Sequence, residues 1–268
     1  MLAFIHIRKA GGKTVNRVLR REYGLQHCDV VSWSGAKVFT ADDLRKLRRI
    51  YPRLKSISGH PVRPYGGLEE AEPGIRFCTM LRHPLERCAA HYNFHVAARG
   101  ETRPFEKWIE EPRFANLQTF YLSGTRDAEA AIDAVRNKLF FVGLSAHYDE
   151  SMLLLQQRSG DPKLRTDYPR YDAAGAGWLQ RIAFLDPRYK KPPEDDDSKA
   201  ILADPRKRAI LEAANRSDLA LYDFVVSEVF PRQLREHGDS FAADLEAFRR
   251  IPERRVASAG CMLNLVKR

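Results

Sequence analysis

Leu2-Ala3-Phe4-Ile5-His6-Ile7, followed directly by Arg8-Lys9-Ala10-Gly11-Gly12-Lys13-Thr14-Val15, decides the fold class. The first six positions are a short apolar run, and the glycine pair that follows predicts a buried strand entering a tight loop. Val15, Val18 and Leu19 then recur at helical spacing within Thr14–Arg21, which predicts a helix just after the loop. The apolar run stops at Ile7, with Arg8 and Lys9 behind it instead of ahead of it. A signal peptide has the opposite polarity and a longer apolar stretch. Leu2–Ile7 is therefore read as the first strand of a domain.

The alternation continues along the chain. Ala41–Ile50 predicts a second helix, with Asp42 and Asp43 in the first turn, where the helix dipole favours them. Leu54–Ser58 predicts a short strand leading into Gly59-His60. Arg76–Leu81 predicts a buried strand stopped by Arg82-His83-Pro84, and Leu85–Ala98 a helix with Pro84 near its first turn. Pro104–Ile109 and Ala128–Val135 are helix candidates, Leu139–Leu144 a strand, His147–Gln157 a helix, and Ile210–Val229 helical again. The pattern predicts an α/β fold, a P-loop-like three-layer arrangement with a central, mostly parallel sheet flanked by helices. Residues 1–268 are expected to form a single domain. A Pro-, Gly- and charge-rich stretch from Ser159 to Asp197 predicts a long loop, and the tail from Phe241 to Arg268 is weakly patterned.

Composition narrows the function. A chain that is 44% hydrophobic and 30% charged is ordinarily globular, which excludes disorder, collagen and a disulfide-stapled miniprotein. Cys28, Cys78, Cys88 and Cys261 form no Cys-x-x-Cys pair, so neither a zinc site nor a disulfide framework is expected. Reduced thiols suit a cytoplasmic protein. No stretch reaches the roughly 18 apolar residues that a membrane span needs. Lys plus Arg is 45 against 35 for Asp plus Glu, and the resulting net charge of +10 attracts anions. With no RNA-binding aromatic signature, zinc-finger spacing or long basic run, nucleic acid is not an expected partner.

The chemistry begins at the glycine loop. Gly11 and Gly12 let backbone approach a ligand closely, and the helix behind them directs N–H groups and a partial positive charge at it. Lys9 and Lys13 add charge and Thr14 a hydroxyl, so the unit predicts a phosphate cradle. Gly12-Lys13-Thr14 also matches the end of a Walker A loop, but that pattern needs a glycine where Ile7 stands. The plain alternative is a βα turn. Arg82 forms the second candidate group, at the end of a strand, where open α/β sheets bind ligands. Its guanidinium suits a phosphate, or else pairs with a carboxylate such as Glu86.

FIHIRKAGGKTV resembles the 5′-phosphosulfate loop of sulfotransferases that use 3′-phosphoadenosine 5′-phosphosulfate (PAPS), usually Phe-x-His-x-Pro-Lys-Thr-Gly-Gly-Thr-Ser. CTMLRHPLERCAAHYNF resembles their 3′-phosphate segment, Leu-Arg-Asp-Pro-x-x-Arg-x-x-Ser-x-Tyr. Weaker echoes follow in the right order: Asn116-Leu117-Gln118-Thr119, Phe141-Val142-Gly143-Leu144 with Asp149-Glu150-Ser151, and Asp218-Leu219-Ala220-Leu221-Tyr222. Together they run from Phe4 to about Phe224. The chain looks most like heparan sulfate 2-O-sulfotransferase-like enzymes and bacterial proteins of that superfamily. It departs from them in Arg8 for Pro, Ala10 for Thr, Lys13 for Thr and Ala90 for the serine that bonds the 3′-phosphate.

The resemblance implies sulfuryl transfer from PAPS to a hydroxyl of a carbohydrate or other acceptor, with PAP as product and no metal. It implies cofactor contacts at Arg8, Lys9, Ala10, Gly11, Gly12, Lys13 and Thr14, at Arg82 and position 90, Ala90, and at Lys190 and Lys191 in a basic loop over the adenosine. Lys9 matches the family lysine that steadies the leaving phosphate. His60, in Ser58-Gly59-His60, matches a catalytic histidine in a Gly-His pair, and an imidazole titrating near neutrality suits a general base. His6, His83, His91 and His95 lie near the two motifs as rival bases. The alternatives are a P-loop nucleotide kinase or NTPase and a non-catalytic basic module for acidic glycan or nucleic acid. Acceptor identity and oligomeric state are left open.

Overall fold

The computed structural model describes residues 1–32, 37–168 and 197–251. Five strands form one sheet in the order β2-β3-β1-β4-β5, from β1 (Leu2–Ile5), β2 (His27–Asp29), β3 (Ser56–Gly59), β4 (Arg76–Leu81) and β5 (Leu139–Leu144). Every pairing is parallel, so the sheet goes beyond the mostly parallel expectation. Phe4 of β1 pairs with Ser58 of β3 on one side and Cys78 of β4 on the other. A central parallel strand is covered on both faces, which is why β1 is apolar along its whole length instead of alternating.

Helices flank the sheet and complete a three-layer α/β architecture. They are α1 (Gly12–Tyr23), α2 (Ala41–Ile50), α3 (Pro84–Arg99), α4 (Phe105–Ile109), α5 (Leu117–Ser123), α6 (Ala128–Asn137), α7 (Tyr148–Ser159), α8 (Asp197–Ala203), α9 (Pro205–Ala214), α10 (Arg216–Phe224), α11 (Phe230–His237) and α12 (Phe241–Arg250). A π-helical turn, Val225–Val229, joins α10 to α11. The main core gathers Phe4, Leu19, Leu44, Ile57, Phe77 and Phe141 around the sheet. A second cluster of Leu85, Cys88, Trp108, Phe114, Ile201 and Leu211 ties α3 to α4, α8 and α9. No helix among the described residues is long and apolar enough to cross a membrane.

The structure refines four stretches of the expected pattern. Ile210–Val229 is helical as expected, in segments parted at Asn215. The Asn215 side chain donates to the Leu211 carbonyl and accepts from the Asn116 N–H, so it binds backbone outside a continuous helix. The weakly patterned tail contains α12, while residues 252–268 lie outside the described residues. Of the expected 159–197 loop, Ser159 closes α7, Asp197 opens α8, and residues 169–196 lie outside the described residues. β2, three residues long at the sheet edge, is too short to show an alternation and was not expected.

The strand order places the site. β1 and β4 are neighbours, yet the chain leaves β1 towards β2 at one edge and leaves β4 towards β5 at the other. The connections diverge at this switch point, and it is outside the carboxyl ends of the strands at such a point that open α/β sheets form the crevice in which ligands bind. The glycine loop follows β1 and Arg82 follows β4, so both motifs border that crevice.

Candidate functional site

The loop after β1 is shaped by two residues in the left-handed region, Lys9 at φ 64° and Gly11 at φ 85°. For Lys9, which has a Cβ, this is a strained conformation of the kind that concentrates at functional sites. Gly11 is the N-cap of α1, makes no side-chain cap, and the first turn of α1 holds no acidic residue. The helix therefore presents its leading N–H groups and partial positive charge to an anion without an internal carboxylate competing for them.

Both glycines are sterically required. A Cβ on Gly11 would stand 2.9 Å from Tyr148 Cε2, and one on Gly12 would stand 2.3 Å from His6 Cδ2. The Tyr148 hydroxyl donates to the Gly11 carbonyl at 2.9 Å, bracing the loop from the start of α7. Burial pushes the Tyr148 phenol up to about 12, against the pull of Thr14 and the Val15 backbone. Tyr148 was not singled out by sequence, although it stands just past the end of β5, where a parallel sheet places ligand contacts.

Lys9 reaches across to α3, with Nζ 5.1 Å above the Phe94 ring. Ala90 is one turn earlier on the same face of α3 and partly exposed, so it lies between the β4 end and Phe94. Ala10 is buried at 1% exposure, and only its backbone can serve a ligand. Arg8, partly buried, exerts its charge on His60, His91 and His95 at once. Lys13 is exposed at the second position of α1.

Arg82 is held from two sides. Gln118 donates to its carbonyl at 2.9 Å and accepts from its N–H at 3.0 Å, while the guanidinium bonds Glu86 at 3.2 Å. The alternative pairing with a carboxylate is thus present, though this pair is partly exposed and readily exchanged. Asp218 accepts from the N–H groups of Gln118 and Thr119 and from the Thr119 hydroxyl, and Asn116 accepts from Ser217 and Asp218. Asn116, Gln118 and Asp218 therefore anchor the segment that carries Arg82 instead of facing the crevice. Beside this strand end lies a groove of about 450 Å³ lined by His83, Leu85, Arg208, Glu212, Arg216 and Leu219.

The five histidines separate clearly. His60 follows β3 directly, and its Nδ1 donates to the His6 carbonyl at 2.7 Å, leaving Nε2 as the acceptor nitrogen. Burial, aided by Arg8, holds the His60 imidazole down at about 4, below the near-neutral titration expected of it, so it is neutral but only weakly basic at pH 7. His91 is buried at 4% exposure against Trp108 and Phe114, and burial pushes it to about 2. His95 packs on the same two rings, and His83 meets Tyr222 edge-on. His6 is engaged by Asn16 through Nδ1. Lys190 and Lys191 lie outside the described residues.

A scan of protein-family models and a search of curated proteins return no match to this chain. Among the described residues no group of three or more His, Cys, Asp or Glu is placed to hold a metal ion.

Proposed function

We propose that the protein is a PAPS-dependent O-sulfotransferase, as its resemblance to that superfamily implies. The observation that carries the reading is the loop itself: a strained Lys9 and two sterically required glycines ahead of an uncapped helix start, beside the β4 end that bears Arg82. These groups suit a ligand with two separated anionic groups better than a single phosphate.

In this reading the N–H groups of Gly12 and Lys13 cradle the 5′-phosphosulfate, and Arg82 exchanges Glu86 for the 3′-phosphate. PAPS supplies the activated sulfuryl group. His60 Nε2 takes the proton of the acceptor hydroxyl as its oxygen bonds sulfur. The sulfur–oxygen bond to the 5′-phosphate breaks, and Lys9 steadies the negative charge that builds on that phosphate. The products are a sulfate ester and PAP, with the proton on His60. The acceptor is a hydroxyl compound such as a carbohydrate.

Thermal shift and calorimetry with three ligands test the reading. PAP should stabilise the protein, and Mg–ATP and AMP much less. Stabilisation by Mg–ATP alone would convert the assignment to a nucleotide kinase or NTPase. No stabilisation by any of the three would leave a non-catalytic basic module.

A further inference from the structure

Asn16 lies in the second turn of α1, buried at 8% exposure, with its amide nitrogen 3.2 Å from Asp29 Oδ1 and 3.3 Å from His6 Nδ1. A carboxylate only accepts hydrogen bonds, so Asp29 fixes which end of the Asn16 amide faces it. The second hydrogen of the same NH₂ is then donated to His6 Nδ1. That nitrogen is an acceptor, and the ring proton of His6 resides on Nε2. His60 has the reverse arrangement, because its Nδ1 faces a carbonyl and must carry the proton. The two rings lie 4.5 Å apart.

Asp29 is itself held firmly. Ser58 donates to it at 2.8 Å, Arg20 bonds its other oxygen, and His27 Nε2 stands 3.6 Å away. Burial alone would raise its carboxyl, but His27, Arg20 and Ser58 together bring it down to about 2. The carboxylate is thus charged throughout the neutral range.

We propose that Asp29 and Asn16 are positioning residues that lock His6 as the neutral Nε2–H tautomer, so that His60 lies against an uncharged ring and is the member of the pair that takes up a proton. Protonating His6 Nδ1 would require the Asn16 amide to turn and press its oxygen against Asp29. The groups bearing charge on His6 are His60 after β3, Asp29 in β2, and Arg8 and Lys13 in the loop and α1. A charged His6 would oppose protonation of His60 directly. The significance for turnover rests on the sulfuryl-transfer reading; the lock itself does not.

Ring-nitrogen NMR on the ¹⁵N-labelled full chain tests the lock without any ligand. The wild-type protein should show His6 protonated at Nε2 and His60 at Nδ1. In Asp29→Asn, a neutral amide permits both Asn16 orientations, and the Nδ1–H form of His6 should grow from undetectable to a comparable population. A wild-type His6 protonated at Nδ1 overturns the proposal, and so does an Asp29→Asn protein whose His6 pattern is unchanged. If Asp29→Asn fails to fold, the wild-type spectrum decides. With PAPS and an accepted hydroxyl compound, Asp29→Asn should lower kcat several-fold with KM for PAPS unchanged. Wild-type protein that shows the expected tautomers but never turns over PAPS would sink the transfer reading and leave the lock standing.

Discussion

The carbonyl of His6 accepts a 2.7 Å hydrogen bond from His60 Nδ1, although 54 residues separate the two in the chain. β1 and β3 are adjacent and parallel, with Ile5 paired to Gly59, so the residues just beyond their carboxyl ends meet. One bond orients the imidazole and fixes its tautomer, leaving Nε2 to accept a proton.

In the proposed reading, Arg82 and Glu86 control the second anion position. Arg82→Ala should remove most of the preference for PAP over AMP in calorimetry. Glu86→Gln should tighten PAP binding a few-fold, because the guanidinium no longer has to leave a charged partner. The exposed pair is worth only about 0–1 kcal/mol, so its loss should leave the fold intact. Equal, weak binding of PAP and AMP by the wild type would rule out the two-phosphate site.

Lys9→Ala and His60→Ala should each lower turnover by roughly a hundredfold or more, the scale of a lost transition-state charge partner or general base. PAP affinity should survive His60→Ala nearly unchanged. If His60 is the base, it acts only when neutral, and with its imidazole held at about 4, kcat/KM should rise with pH through about 4 and be flat towards neutrality. An acid limb centred near the ordinary histidine value would assign the base to a more exposed imidazole.

Ala90→Ser adds a hydroxyl on the face of α3 between Arg82 and Phe94. It should tighten PAP binding by about 1.5–3 kcal/mol at most, the range for a hydrogen bond to a charged group. Weaker binding with an intact fold would show that this face does not meet the 3′-phosphate.

Gly12→Ala places a methyl group 2.3 Å from the His6 ring, which Asn16 and His60 hold in place. Destabilisation by about 1–3 kcal/mol is expected for such overpacking. Combining it with His6→Ala should cost less than the sum of the two single changes, as measured by urea unfolding of all four proteins.

His91 is expected to make the fold acid-sensitive. Its imidazole is held at about 2 in the folded chain, against 6.5 as its ordinary value, chiefly by burial. The unfolded chain therefore binds the extra proton between those values. The stability is fully present above pH 6.5 and lost as pH falls below it. His91→Phe should lose less stability than the wild type between pH 6.5 and 4.5, by roughly 2 kcal/mol. Identical pH dependence of the two proteins in urea unfolding would contradict this.

What the chain announced locally was its elements and the loop. Arg76–Leu81, Leu139–Leu144 and Ala41–Ile50 follow the expected bounds, since apolar periodicity and breakers such as Pro84 act over a few residues. Gly11-Gly12 with Lys9 pointed to close approach of a ligand to backbone, whereas the structure shows the His6 and Tyr148 rings filling the places their Cβ atoms would take.

Tertiary structure alone decided which distant side chains share the crevice. The order β2-β3-β1-β4-β5 sets His60 beside His6, Lys9 over Phe94 and Tyr148 beneath Gly11. It also turned Asn116, Gln118 and Asp218 into anchors, because the N–H groups at the start of α5 were satisfied by Asp218, about a hundred residues away. Local sequence encodes propensity and periodicity; strand order depends on the non-local burial of whole faces, and no short stretch contains it.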